Sequence, residues 1–390
     1  MDVATPLPKA TGNSFGRHVV TGEDVLTFLT EISASDNIVG ITCAGKTDGG
    51  GAQVLAVMST LAYSDATGVP YFHSPFTEVR FDDGNPEWAC RWERFFNLGL
   101  GENSLPFDVP VLDASQYIEA GRPSGVIIRV PYCHNFIHRD GTADAYSTTM
   151  RERFRRKYAS GPNKGQYPDR YIAVHIRRGD VSNDKHSSRF TSSDRILEDL
   201  RLFRQRTGST LPFEVFSQGN EADFNFLPKG EVSRLHLDVD VFETIDRMVC
   251  ADGLIMGRSS FSYLSALLGD APVMTDLWYH RPLSTWFVPT GYGDALPWGT
   301  IASNKRLTRN LHSRLATDPD GVIAEASQNP RLFKESPVAR WYLALAYLRN
   351  QPEKAEPILN ELALGRSGVA NSARRTVANR YSDRRIDQKK

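Results

Sequence analysis

The chain has 390 residues, of which 40% are hydrophobic and 24% charged, a soluble globular composition with room for more than one core. Its 46 acidic and 46 basic residues cancel, so no global field recruits nucleic acid and any polyanion site has to be local. No window reaches the roughly 18 apolar residues a membrane span requires, the first residues carry no apolar signal-peptide core, and the four cysteines (Cys43, Cys90, Cys133, Cys250) have no zinc spacing. The expectation is a cytoplasmic protein with reduced thiols, without nucleic-acid partner, integral membrane segment or structural metal.

Apolar runs bounded by turn residues predict strands, in chain order, at DNIVGITCAG, VPYFHSP, SGVIIRVPYCH, YIAVHIRRGD, LPFEVFSQG, SRLHLDVD, DGLIMGRSS and APVMTD. Helical patterns fall between them at 53–66, 143–158, 193–206, 240–250 and 261–268. From residue 170 onward the alternation is regular and predicts a parallel, doubly wound sheet; the first 160 residues begin the same way. A turn-rich basic linker spans 158–170. The expected architecture is α/β: an N-terminal Rossmann-like unit over 1–160 and a second over 161–300, facing across a cleft. A helical appendage over 301–365 and a basic, disordered tail over 366–390 follow. Within the appendage, Ser336 and Pro337 open a helical hairpin similar to one tetratricopeptide unit, and Asn350 to Pro352 turn it. The tail's eight Lys or Arg against two Asp allow peripheral contact with a membrane surface or polyanion.

Three stretches carry candidate chemistry. YIAVHIRRGD ends a buried strand on Arg177 and Arg178, where the ligands of open α/β sheets bind. The fork of a guanidinium matches phosphate oxygens. The competing reading is an ion pair, with Asp180 holding Arg178 and the other arginine facing solvent. GITCAGKT (Gly40–Thr47) satisfies the P-loop pattern letter for letter, the basis of a phosphotransferase or NTPase reading. However, Ile41 to Cys43 continue the strand, and the DGGG that follows is a poor helix opening. The better reading starts the helix at Ala52 or Gln53 and leaves Gly49, Gly50 and Gly51 for the close approach of a ligand or the facing domain. Asp238 and Asp240 in LDVD form a D-x-D tripeptide, better read as a strand end with Asp240 capping the next helix.

VHIRRGD resembles the H-x-R-R-x-D motif of the α1,2- and α1,6-fucosyltransferases and their protein O-fucosyltransferase relatives. GGGAQVLAVMSTLAYSDATGVPYFHSPF is similar to that superfamily's amino-terminal G-x-G-N-Q segment, with Ala52 where Asn is usual. MVCADGLIMGRSSFSYLSALLG resembles its later serine-rich segment. The resemblance covers residues 36–76 and 165–290 in the right order.

It implies a GT-B fold and metal-independent, inverting transfer of fucose from GDP-β-L-fucose to a glycan hydroxyl. The partners implied are a nucleotide-sugar donor and an oligosaccharide or polysaccharide acceptor, with no cofactor. By position, Arg177 and Arg178 would contact the pyrophosphate and Asp180 would orient the arginine loop. His175 would lie near the nucleoside. Ser259, Ser260, Phe261 and Ser262 would form a phosphate-cradling strand-to-helix turn. Asp246 or Asp252 would take the guanine edge, and Gly50, Gly51 and Gln53 would line the donor site. The base that deprotonates the acceptor is not readable; candidates are His73, Glu78, Asp82 and the loop residues Asp184, Lys185 and His186. Trp88, Trp92, Phe95 and Phe96 are candidates for sugar stacking or, at this helical spacing, for core. Other readings that remain open are a transferase using a different GDP-sugar and a nucleotide- or glycan-binding module without turnover.

Overall fold

The computed structural model describes residues 37–43, 48–81, 84–130, 133, 144, 146–162, 164–165, 167–182, 184, 186–290, 294–330, 333, 336–364 and 371–378. The first unit runs β1 (Gly40–Cys43), α1 (Gly50–Thr67), β2 (Phe72–His73), α2 (Trp88–Phe96), β3 (Asn103–Ser104), β4 (Val111–Asp113), α3 (Ala114–Glu119), β5 (Ile127–Val130) and α4 (Thr148–Ala159). Strands β1, β5 and β4 form a parallel sheet, and β2 pairs in parallel with β3. A bridge between Ile41 and Tyr71 joins the two ribbons.

The second unit runs β6 (Ile172–His175), α5 (Ser193–Thr207), β7 (Phe213–Ser217), β8 (Val232–Leu237), α6 (Val241–Cys250), β9 (Gly253–Ile255), α7 (Ser260–Leu268), β10 (Val273–Met274), β11 (Phe287–Pro289) and β12 (Ala295–Pro297). Its sheet is ordered β12-β11-β10-β9-β6-β7-β8 and is parallel apart from the β11–β12 pair. From β6 the chain moves outward through β7 to β8, then crosses back to β9 and moves outward the other way. This is the doubly wound order, and the direction reverses between β6 and β9. Each of the eight strand-forming runs carries a strand, most of them several residues shorter than the run, and the helices at 193–206, 240–250 and 261–268 are present with one end shifted by a residue. The fold is α/β, two parallel-sheet units with a helical appendage.

One continuous apolar core runs through both units: Leu55 and Met58 of α1, Trp92 and Phe96 of α2, Phe242 of α6 and Tyr263 and Leu264 of α7 are all buried in it. Helix α1 begins at Gly50, earlier than Ala52 or Gln53. A Cβ on Gly50 would overlap the Trp92 indole, and one on Gly51 would lie 3.2 Å from the Phe261 Cα in the second unit. Packing therefore outweighs glycine's helix penalty of about 1 kcal/mol. Helix α4 grips α7 from the other end: Arg151 and Arg155 donate to the carbonyls of Leu267, Leu268 and Gly269. These are the unsatisfied groups of a helix carboxyl terminus, where a cation is favourable.

The appendage is larger than one hairpin. It comprises α8 (Trp298–Arg314), α9 (Pro319–Gln328), α10 (Pro337–Asn350) and α11 (Pro352–Ala363). Ser336 caps α10 through the Ala339 amide. The expected disorder of the tail fails at 371–378, which is helical, with Ala373 buried against Ala344 and Ala355. Burying that alanine face and donating from Arg374 Nη1 to the Ala363 carbonyl hold the segment in place. Among the described residues, no helix is long and apolar enough to cross a membrane.

Candidate functional site at the sheet switch point

Strand β6 pairs with β9 in register, Val174 opposite Ile255, so the two motifs that follow these strands leave the sheet side by side. Their approach is close. A Cβ on Gly257 would stand 2.8 Å from the His175 carbonyl oxygen and 3.0 Å from its Nδ1. Only glycine lets the loop after β9 cross the loop after β6 here. Helix α7 starts three residues later, its amide ends directed at the same rim.

Arg177 forms a two-point ion pair with Asp180, Nε to Oδ1 at 3.2 Å and Nη2 to Oδ2 at 2.7 Å. Burial alone would raise the Asp180 carboxyl, but the hydrogen bond and charge of Arg177, with Arg189 behind them, hold it below its ordinary value. The partner is thus Arg177 and not Arg178. Arg178 donates from Nη1 to the Arg177 carbonyl at 2.9 Å and from Nη2 to the Thr191 carbonyl at 3.1 Å, and stacks on Phe190 at 4.4 Å. Among the described residues it has no carboxylate in ion-pair range. Burial lowers its pKa, with the Asp223 charge opposing. Among the described residues each arginine keeps three of its five N–H groups uncommitted.

His175 is half-buried, its ring 5.5 Å from that of Phe261. Burial first, and then the charge of Arg177, push it down to about 3, so it is neutral near pH 7. Among the described residues its buried Nδ1 has no hydrogen-bond partner, and neither has Trp278 Nε1 in the loop after β10. Buried polar atoms of this kind are normally satisfied.

The other site residues divide. Ser259 caps α7 by accepting from the Phe261 amide, Ser260 Oγ pairs with His280 Nε2 at 2.9 Å, and Ser262 donates back to the Gly257 and Ser259 carbonyls. The Ser259 and Ser262 hydroxyls, expected to face phosphate, are therefore engaged within the turn, while Ser260 pairs with the loop after β10. Gln53 is buried and donates to the Asp48 and Glu78 carbonyls; Gly50 faces the Trp92 indole, and Gly51 lies against the Phe261 backbone at the amino end of α7. Asp246 is buried and accepts from the hydroxyls of Tyr158 and Tyr167 and the Gly165 amide. The Asp252 amide donates to the Tyr171 carbonyl at the opposite end of β6, and its carboxylate pairs with Arg170. Both aspartates lie away from the arginines because they precede β9, whereas the site follows it.

His73 has both ring nitrogens occupied, Nε2–H donating to Glu93 at 2.7 Å and Nδ1 accepting from Tyr71 at 3.1 Å, so neither is left for an acceptor proton. Glu78 and His186 are exposed, and so is Asp184. Asp82 and Lys185 lie outside the described residues, as do residues 44–47 of the P-loop-like stretch. The first glycine of that pattern, Gly40, sits inside β1, and α1 opens only at Gly50, which is not the strand–loop–helix of a P-loop. Asp240 caps α6 through the Phe242 and Glu243 amides, and Asp238 accepts from Gly219, so the D-x-D tripeptide is structural. Trp92, Phe95 and Phe96 are core, packed on Phe242 and Tyr158. His280 was not singled out in the sequence. Its only signal there is its place among aromatics, in DLWYHR, just after a strand.

No family model matches the sequence, and no curated protein does. Among solved structures, a mutant of Arabidopsis thaliana FUT1 in complex with GDP aligns at a TM-score of 0.32 and 11% identity, over 67% of this chain and 75% of the other. The Escherichia coli heptosyltransferase WaaC with ADP aligns at a TM-score of 0.32 and 14% identity, over 69% of this chain and 97% of the other.

Proposed function

We propose that the chain is a glycosyltransferase that moves fucose from GDP-β-L-fucose to a hydroxyl of an oligosaccharide or polysaccharide, with inversion and without a metal ion. The observation that carries the reading is the convergence of H-x-R-R-x-D and G-R-S-S-F-S at the reversal between β6 and β9, where doubly wound sheets bind nucleotides. The site offers what a departing diphosphate needs. As the anomeric bond breaks, the sugar gains oxocarbenium character and negative charge grows on the phosphate oxygens. Arg178, which no carboxylate neutralises among the described residues, and the amide end of α7 stabilise that charge more than they stabilise the intact donor. Asp180 holds Arg177 in the same rim while leaving three of its N–H groups for oxygens. Arginines in this arrangement take the role a divalent cation plays elsewhere. Neutral His175 lies on the nucleoside side of the site, its ring beside that of Phe261. Of the base candidates, Glu78, Asp184 and His186 are exposed.

Turnover of GDP-fucose against a glycan panel, with EDTA present, tests the proposal. Transfer should persist in EDTA and fall on Arg178→Ala. Strict dependence on magnesium, or GDP-mannose replacing GDP-fucose as the preferred donor, would refute it in the first case and correct the donor in the second.

A further inference from the structure

The loop from Asp276 to Arg281 leaves β10 on the α7 side of the switch point and places one histidine against the first residue of that helix. His280 is 2% exposed. Its ring is stacked on Tyr263 at 4.6 Å, with Trp278 edge-on at 4.8 Å and Tyr279 edge-on at 5.1 Å. The Tyr263 hydroxyl donates to the Arg281 carbonyl at 2.7 Å, which closes the loop over the ring. So fixed, His280 sets Nε2 at 2.9 Å from Ser260 Oγ, while Ser260 itself is half-buried at the helix amino end.

A serine hydroxyl has one proton and two lone pairs. If His280 carries its proton on Nε2, it donates to Ser260 Oγ, and the serine's own proton is free to point outward. If Nε2 is bare, the serine donates inward and turns its lone pairs outward, against any anion. The tautomer of a buried histidine therefore decides whether the first hydroxyl of α7 attracts or repels phosphate. Trp278 Nε1, whose ring packs edge-on to the same imidazole, and His175 Nδ1, beside Phe261, are buried and have no hydrogen-bond partner among the described residues.

We infer that His280 is a positioning residue that donates from Nε2 to Ser260 and so makes the Ser260 hydroxyl a hydrogen-bond donor to the diphosphate of a nucleotide bound at the switch point. This rests on the nucleotide-diphosphate reading above. The step moves no proton between groups and breaks no bond; it orients one hydroxyl.

The test is GDP affinity of the full-length chain by calorimetry, for wild type, Ser260→Ala, His280→Phe, His280→Gln and the Ser260→Ala/His280→Phe double variant. A hydrogen bond to a charged oxygen is worth about 10- to 100-fold in affinity. Ser260→Ala and His280→Phe should each weaken GDP by about that factor, and the double variant should be no weaker than the worse single one. His280→Gln, which restores an N–H near the ε position, should bind close to wild type. Unchanged binding in His280→Phe, additive losses in the double variant, or a His280→Gln as weak as His280→Phe would overturn the inference. If His280→Phe fails to fold, ¹⁵N spectra of histidine-labelled wild type decide: a protonated Nε2 supports it and a bare Nε2 overturns it. Absence of GDP binding in the wild type would instead remove the nucleotide reading itself, and the inference with it.

Discussion

Arg178 has a half-buried guanidinium held by the Arg177 and Thr191 carbonyls, with no carboxylate to cancel its charge among the described residues. Arg177, by contrast, is already compensated by Asp180. A ligand phosphate therefore gains more from Arg178 by charge, and more from Arg177 by the geometry that Asp180 imposes. Replacing either by alanine should lower kcat/KM for GDP-fucose by about 10²- to 10³-fold, the loss seen when one preorganised donor is removed. Lys46→Ala should leave it within a few-fold. Asp180 is held below its ordinary value, so its pairing persists above about pH 4 and is lost only as the pH falls further. It contributes no titration to the neutral pH–rate profile. Gly257 is the other residue-scale point. A methyl group there would meet the His175 backbone carbonyl at 2.8 Å. Gly257→Ala should therefore reduce GDP affinity as well as thermal stability, because the two site loops must part to accommodate it. A loss of stability with unchanged GDP affinity would contradict that placement.

Helix α5 shows how elements hold the rim. Its Arg195 pairs with Asp199 at 2.9 Å and also with Asp276, which in turn takes Arg258 from the loop after β9 at 3.0 Å. Arg258 donates onward to the Ser188 carbonyl, so the loop carrying Thr191 and the loop after β9 are joined through one network. Burial pushes the Asp199 carboxyl up to about 7, with Arg195 opposing and Asp276 reinforcing the rise. Its folded value lies above the unfolded value of about 3.9. The stabilisation this represents is complete below about pH 4 and is lost as the pH rises through about 7. Wild-type Tm should therefore lose ground to Asp199→Asn across that window, and parallel Tm curves for the two proteins would contradict it.

The elements also show what was legible in the sequence. Strands such as Phe213–Ser217 and helices such as Ser193–Thr207 announce themselves because apolar period and punctuation agree. Glycines at 50 and 51 mislead because their helical state is set by Trp92 and Phe261, which are distant in sequence. The rim position of Arg177 and Arg178 was readable from the strand they end. Their partners were not, since the conformation of the turn decides which arginine meets Asp180. Asp246 and Asp252 were misplaced because a motif's order in the chain does not say which end of the sheet a neighbouring residue occupies. His280 belongs to no motif and emerges only when β10 is laid beside β9.

At the scale of the molecule, the two units share one core instead of meeting at a wet seam. Phe242 of the second unit lies among Trp88, Trp92 and Phe95 of the first, with ring centroids 4.8–5.4 Å away. Helix α7 is packed at its amino end by Gly51 and capped at its carboxyl end by Arg151 and Arg155. The units should melt together. Phe242→Ala should destabilise both by about 3–5 kcal/mol, the usual effect of deleting a buried phenyl ring. Denaturant unfolding followed at probes in each unit would show coincident shifts; a shift confined to the second unit would refute the shared core.

A crystal structure with GDP reads the central claim most directly. The account predicts the diphosphate between the ends of β6 and β9, within hydrogen-bonding distance of Arg178 and the first amides of α7, with Arg177 contributing its uncommitted N–H groups. A diphosphate bound elsewhere, with the Arg177–Asp180 and Arg178–Thr191 contacts untouched and the switch point empty, would contradict it.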